Sequence, residues 1–310
     1  MATASSIDLS GVFIPATSPF DPVSGDLDVI GLRSNVRRWS TTGVRGIVIG
    51  GSTGEAMLLD DDERLAALDA TADILPDGIL LVAGTGGEST RRTIRLTREA
   101  AEHGADAVLV QPPAFYKGAM TPEALQVHYA AVADASPVPV IVYQVPLRLS
   151  TLDLPTGLVV ELSKHPNIVG IKDSRGQLEL VGELATQTAR GFQVLVGSGA
   201  HLYASLEVGA VGGILGVANL APAESAAICT AFQRGDHAGA GRLQKEVGPV
   251  HVEIVGGLGV AGVKAGLDLL GYRGGDPRPP LRPLPERGRE TVHKVLRSAG
   301  LLEPDRAARA

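Results

Sequence analysis

The chain has 310 residues, a hydrophobic content of 44% and a formal net charge of −6, enough apolar material for two ordinary domains or one barrel-sized core with an appendage. A pI near 5.7 leaves no basic footprint for nucleic acid or an anionic membrane, and no apolar run reaches membrane-spanning length. The single cysteine, Cys229, excludes an internal disulfide framework and fits a reducing cytosol, so the expectation is a soluble cytoplasmic protein with no basic, apolar leader.

After a loose polar lead (Met1–Ile7), Gly11 opens a short apolar strand that runs out in small hydroxyl residues and proline by Phe20. Val29, Ile30, Leu32, Val36 and Trp39 then recur as one helix face. A second strand begins at Arg45 and turns through Gly51-Ser52-Thr53-Gly54-Glu55. Asp60 to Leu75 reads as a helix with acidic residues in its first turn, where the macrodipole favours them. The alternation continues with a strand at 79–84, a helix at 89–103 capped by Ser89 or Thr90, and a strand at 107–110. Thr121 caps the next helix, with Pro122 at its first position.

A strand at 138–143, a helix near 155–164, a strand at 168–172 and a helix at 177–189 follow. The last pairs are a strand at 192–197 with a short helix at 201–208, and a strand at 211–217 with a helix at 221–234. Eight strands, each followed by a helix, are the sequence form of a (β/α)8 TIM barrel. A doubly wound open sheet would carry a glycine-rich phosphate turn after its first strand. The nearest such stretch, Gly84-Thr-Gly-Gly-Glu-Ser89, follows the third strand and lacks the last glycine. Beyond Gly235 the strand signal stops. The expectation is a barrel over residues 8–235 and a C-terminal helical extension over 236–310. That extension is helical from 238 to 270 with a break around Gly256-Gly257, helical again from 290 to 299, and frayed from Glu303 to Ala310.

In such barrels the chemistry sits where the strands end. Strand six, Ile168-Val-Gly-Ile-Lys172, runs from branched apolar residues into a lysine. Desolvation disfavours an ammonium, and only a neutral amine attacks a carbonyl; the plainer alternative is a lysine whose head snorkels to water. Ser52 and Thr53 bring two hydroxyls and free backbone N–H groups, a cradle for a carboxylate or else an ordinary glycine turn. Tyr143 ends strand five, as a proton-relay phenol or as a core residue with a satisfied hydroxyl. Arg148 lies five residues on, in a proline-stiffened loop, as a surface arginine or a two-point carboxylate clamp. An amine, a phenol and two carboxylate grips are the parts for a 2-oxo acid held as an imine. Metal-dependent aldol chemistry would need clustered ligands. The histidines are scattered instead, and the one close pair with a carboxylate, His251-Val-Glu253, falls in the extension. A binding protein on a retired barrel would have no use for all of these groups together.

Gly51-Ser-Thr-Gly-Glu55, Tyr143-x-x-Pro-x-Arg148 and Gly170-Ile-Lys-Asp173 resemble the signatures of the dihydrodipicolinate synthase/N-acetylneuraminate lyase family. The resemblance runs from about Gly11 to Leu302. It implies a barrel with C-terminal helices, usually a homotetramer, and pyruvate Schiff-base chemistry on a small 2-oxo acid with no cofactor and no metal. It further implies that Lys172 forms the imine, Tyr143 shuttles protons, Ser52 and Thr53 hold the pyruvate carboxylate, and the backbone around Gly197 and Ile214 lines the pocket.

Within the family the stretches His165–Ser174, Phe192–Ser198, Gly209–Gly213 and Ala218-Asn219 look most like 4-hydroxy-2-oxoglutarate aldolases, and Ser174 then matches a substrate-contacting serine of that subgroup. Arg148 instead matches the arginine that grips the second substrate in the synthases. The synthases carry a tyrosine pair after strand four, one member of which completes a neighbouring subunit's proton relay. Here that segment is Pro112-Pro-Ala-Phe-Tyr-Lys-Gly118, and the relay position falls on Phe115 or Tyr116. The expected activity is a class I aldolase or lyase acting on a 4-hydroxy-2-oxo acid. Its rivals are 4-hydroxy-tetrahydrodipicolinate synthase and a sugar-acid dehydratase of the same family.

Overall fold

A computed structural model of the chain describes residues 7–302. The expected polar lead, apart from Ile7, and the expected frayed end at Glu303–Ala310 lie outside the described residues.

Eight parallel strands close into one barrel in chain order. They are β1 (Gly11–Pro15), β2 (Gly46–Ile49), β3 (Leu80–Gly84), β4 (Ala107–Val110), β5 (Val140–Gln144), β6 (Ile168–Asp173), β7 (Gln193–Val196) and β8 (Gly212–Ile214). The helices that follow them are α1 (Val29–Trp39), α2 (Asp61–Ala72), α3 (Thr90–Glu102), α4 (Pro122–Ala135), α5 (Thr156–Leu162), α6 (Leu178–Gln187), α7 (Leu202–Glu207) and α8 (Pro222–Gln233). Closure is made by β1 on β8, through Gly11↔Gly212, Val12↔Gly213 and Phe13↔Ile214. That seam requires glycine, since a Cβ on Gly212 would stand 1.9 Å from the Gly11 carbonyl oxygen.

Strand parity sorts the side chains into two cores. Phe13, Val48, Val82, Leu109, Ile141, Tyr143, Leu195 and Ile214 pack together inside the barrel. Val12, Ile14, Ile47, Ile49, Leu81 and Val108 belong to the larger core shared with the helices, where Leu32, Trp39 and Leu68 meet them. In β6, Ile171 faces that helix layer. Its neighbour Lys172 therefore turns inward, at the end of the strand where barrel sites lie.

Local chemistry explains where helices begin. The Thr121 hydroxyl accepts the Ala124 N–H ahead of Pro122, the Ser89 hydroxyl accepts the Arg92 N–H, and Asp60 and Glu63 form a reciprocal capping box. Several expected strands are shorter in the structure, the first and the eighth most of all. The first ends at Pro15 instead of Phe20, and the eighth ends at Ile214, where Gly216–Asn219 winds into a 3-10 turn.

After β8 and α8 the chain adds α9 (His237–Val250), a π-helical turn (His251–Gly256), α10 (Gly259–Leu269) and α11 (Glu286–Ser298). The break expected at Gly256-Gly257 is this π turn. It follows Pro249, which lies inside α9 and has no N–H for the ladder. Helix α11 starts four residues before the expected Glu290, because Gly288 is no breaker here: it is buried against Leu284, whose Cγ would lie 2.6 Å from an added Cβ. The C-terminal segment also grips α1, where the Arg38 guanidinium lies 3.6 Å from the Tyr272 ring centroid and Trp39 stacks on that ring.

Candidate active site

Lys172 pairs in register with Tyr143 of β5 on one side and Leu195 of β7 on the other. It is 5% exposed, and its Nζ stands 4.2 Å from the centroid of the Tyr143 ring. The adjacent carboxylate, Asp173, is occupied by Arg175, whose Nε and backbone N–H donate to it at 2.9 Å and 2.8 Å. Arg175 also reaches Asp153 at 3.0 Å. Lys172 thus ends its strand as a buried amine, outside every ion pair found among the described residues.

The hydroxyl turn is held by a longer reach. Past β2 the chain forms a 3-10 turn at Ser52–Gly54 and then places Glu55 at φ 55, the one non-glycine residue with positive φ among those described. Such a conformation costs about 1–3 kcal/mol and persists only where the surroundings fix it. They do so here. Lys264 of α10 donates from Nζ to Glu55 Oε1 at 2.8 Å and to the Ser18 carbonyl at 2.8 Å, and the Arg278 N–H donates to Glu55 Oε2 at 2.8 Å. Ser18 in turn donates its hydroxyl to the Gly54 carbonyl at 2.7 Å. Burial holds the Lys264 ammonium below the ordinary lysine range, although Glu55 pulls the other way. Ser52 Oγ ends 3.3 Å from Tyr143 Oη.

All eight residues nominated from the sequence, Ser52, Thr53, Tyr143, Arg148, Lys172, Ser174, Gly197 and Ile214, line one cavity of about 180 Å³. Its walls carry Lys172, Arg148 and Arg175 and no aspartate or glutamate. Gly197 lets Ser174 in: a Cβ there would meet Ser174 Oγ at 1.9 Å. The cavity is smaller than the roughly 300–1,000 Å³ usual for drug-sized ligands and matches a small acid.

Sequence reading missed a group that the π turn delivers. His251, Val255 and Gly256 line the same cavity. The His251 ring accepts the Gly199 N–H at Nδ1, 3.2 Å away, and its Nε2 lies 3.4 Å from Ser198 Oγ. Burial, with the nearby Arg148 and His201 charges, lowers its pKa to about 4. The break at Gly256-Gly257 was the signal read in the sequence, and Pro249, inside α9, is a second one that the helix would deform here. Phe115 and Tyr116, 78% and 71% exposed, form an edge-to-face pair on the loop after β4 and are not in the cavity wall. Asn219 is a latch and no site residue: its side-chain amide donates to the Pro15 and Gly216 carbonyls, and its backbone carbonyl accepts the Trp39 indole N–H.

A larger cleft of about 1080 Å³ opens between the loop after β1 and the proline-rich segment before α11. It holds none of the nominated residues, and Arg278 in its wall is already paired with Glu63. No group of three or more His, Cys, Asp or Glu side chains among the described residues is placed to hold a metal ion. No helix among them is long and apolar enough to cross a membrane.

Comparison with known proteins identifies the family. The chain is 34% identical over 292 residues to the 4-hydroxy-tetrahydrodipicolinate synthase of Syntrophus aciditrophicus, covering 94% of this chain and 99% of that protein. It is 35% identical over 274 residues to the "Probable 4-hydroxy-2-oxoglutarate aldolase, mitochondrial" of Emericella nidulans, covering 87% and 88%. Among solved structures, dihydrodipicolinate synthase from Thermotoga maritima superposes with a TM-score of 0.90 at 28% identity, covering 94% of this chain and 99% of that one. A prophage protein of the dihydrodipicolinic acid synthase family from E. coli K12, in complex with pyruvate, superposes with a TM-score of 0.89 at 28% identity over 94% and 99%. With residues 8–299 matching its pattern from the first strand to the last helix, the chain belongs to the Dihydrodipicolinate synthetase family of lyases.

Proposed function

We propose that the protein is a class I, Schiff-base aldolase that cleaves a 4-hydroxy-2-oxo acid, 4-hydroxy-2-oxoglutarate above all, into pyruvate and an aldehyde. The observation that carries this reading is Lys172: a buried amine with no acidic partner, facing a phenol, in a cavity with cationic walls and no carboxylate. A site of that charge favours a dianion such as a dicarboxylic 2-oxo acid. We further propose that it works in the cytoplasm as a homotetramer, on a barrel of residues 8–235 with the remainder as a helical extension.

Lys172 Nζ attacks the C2 carbonyl carbon, and water leaves as the iminium forms. Ser52 and Thr53 hold the neighbouring carboxylate, with Gly197 and Ile214 closing the wall. Tyr143, left as the phenolate after giving its proton to the hydroxyl that departs as water, accepts the proton of the C4 hydroxyl as the C3–C4 bond breaks, and the bonding pair moves into the iminium to give the enamine. The aldehyde half departs, carrying the second carboxylate past Arg148 and Ser174. A proton returned to C3 restores the iminium, and water releases pyruvate and free Lys172. The iminium is the electron sink, so this sequence needs no further cofactor.

Borohydride reduction in the presence of pyruvate tests the reading. The expected product is one covalent three-carbon adduct, on Lys172, lost in Lys172→Arg because a guanidinium stays protonated. An adduct that survives in that variant would refute the assignment. A second reading, 4-hydroxy-tetrahydrodipicolinate synthase, is favoured by Arg148 in the cavity wall and by the synthases among the relatives. It shares the same imine. A panel of 4-hydroxy-2-oxo acids assayed for pyruvate release, run beside condensation of pyruvate with aldehydes, separates the two.

A further inference from the structure

The family signatures leave His251 unassigned, and its surroundings give it a definite hydrogen-bonding character. The Gly199 N–H points at Nδ1 at 3.2 Å, so that nitrogen is the acceptor and the ring proton of the neutral imidazole resides on Nε2. Nε2 faces Ser198 Oγ at 3.4 Å, a long contact that a stronger acceptor displaces. Both residues line the cavity that holds Lys172 and Arg148. Among the described residues, Arg148 is engaged only by the Val255 carbonyl, at the limiting distance of 3.5 Å, and takes part in no ion pair. Arg175, the other arginine of the wall, is already committed to Asp173 and Asp153.

The cavity wall therefore presents, besides Lys172, one uncommitted cation, one neutral N–H donor of fixed tautomer and the Ser198 hydroxyl, with no acid to compete for a ligand. We propose that His251 is a specificity-determining residue, whose Nε2–H joins the Arg148 guanidinium in holding the second carboxylate of the substrate. The inference rests on the 2-oxo acid reading and deepens it by naming the class: 2-oxo dicarboxylates in preference to monocarboxylates of equal length. His251 lies beside Arg148, and the guanidinium together with burial keeps the ring uncharged. The pair thus brings one positive charge and two kinds of donor to one carboxylate, a balance that a second cation would upset.

The test compares the dissociation constants of 2-oxoglutarate and 2-oxopentanoate, which differ by carboxylate against methyl, by calorimetry. The wild type is expected to prefer the dicarboxylate. His251→Phe keeps a ring and loses the donor, and should lower that preference roughly 10- to 100-fold, the worth of one hydrogen bond to a charged group. His251→Gln places an amide N–H near the Nε2 position and should restore most of it. If the Phe variant does not fold, His251→Asn still offers an acceptor to the Gly199 N–H but does not reach the ligand, and should lose the preference likewise. An unchanged ratio in the Phe or Asn variant overturns the proposal, as does an equal loss in Gln and Phe, which would make the ring a packing element. Arg148→Ala should lower the same ratio, and an Arg148 effect with no His251 effect also overturns the assignment. Wild-type protein that forms no borohydride adduct with pyruvate refutes the imine reading by itself, while the ratio of binding constants still decides the role of His251.

Discussion

At the scale of single residues, the site is a matter of which groups are left without partners. Asp173 follows Lys172 directly and would be its natural counter-ion, yet Arg175 claims it through both side chain and backbone. The amine is left facing the Tyr143 ring, and the phenol of that ring is left within 3.3 Å of Ser52. Removing the phenol oxygen should spare the cavity shape, since the ring stays packed among Ile141, Leu195 and Ile214. Tyr143→Phe is therefore expected to keep pyruvate adduct formation measurable while turnover falls by roughly 10²–10⁴-fold, the usual worth of a positioned acid–base group. Steady-state rates set beside adduct yield read the two effects separately. Unchanged turnover would make the phenol a core residue with a satisfied hydroxyl.

At the scale of elements, the hydroxyl turn and α10 are one device. The strained backbone at Glu55 carries its carboxylate inward to Lys264, and both side chains are essentially without solvent contact, at 1% and 0% exposure. Breaking a buried pair from one side leaves an uncompensated charge and costs about 3–5 kcal/mol. Lys264→Met should lose about that much in denaturant unfolding, and adding Glu55→Gln should recover part of it. A loss below about 1 kcal/mol in the single variant would mean that Arg278 and Ser18 hold the turn without Lys264. None of this could be read locally, because the partners are 209 residues apart in sequence. Features written in neighbouring residues were legible: the alternation of strand and helix, the cap at Thr121 and, as one of two candidates, at Ser89, and the place of Lys172 at the end of an apolar strand. The π turn was legible only as a break. A break says that a helix deforms, not which way His251 then points, so one member of a pair read as part of a remote appendage, His251, stands in the cavity wall while Glu253 does not.

At the scale of the whole molecule, the exposed aromatics on the loop after β4 bear on assembly. Phe115 and Tyr116 stand out on the loop after β4, packed edge to face on each other. Scattered exposed apolar residues need no explanation, but paired aromatics at the rim of a site are a candidate contact. Neither ring lines the cavity of its own chain, so a role near the reacting atoms would have to be played in a second copy. Sedimentation of the wild type is expected to give a multiple of the 32.0 kDa chain, and the double variant Phe115→Ser/Tyr116→Ser should shift toward smaller species. Tyr116→Phe separates assembly from chemistry, because it keeps the ring and removes only the hydroxyl. If Tyr116 holds the relay position, that variant should sediment like the wild type and lose turnover. If the position belongs to Phe115, turnover should hold, and any proton relay must then run through Tyr143 and solvent. A double variant of unchanged size would mean that the aromatic pair is no contact between copies, and the expected assembly would have to be sought on another face of the barrel.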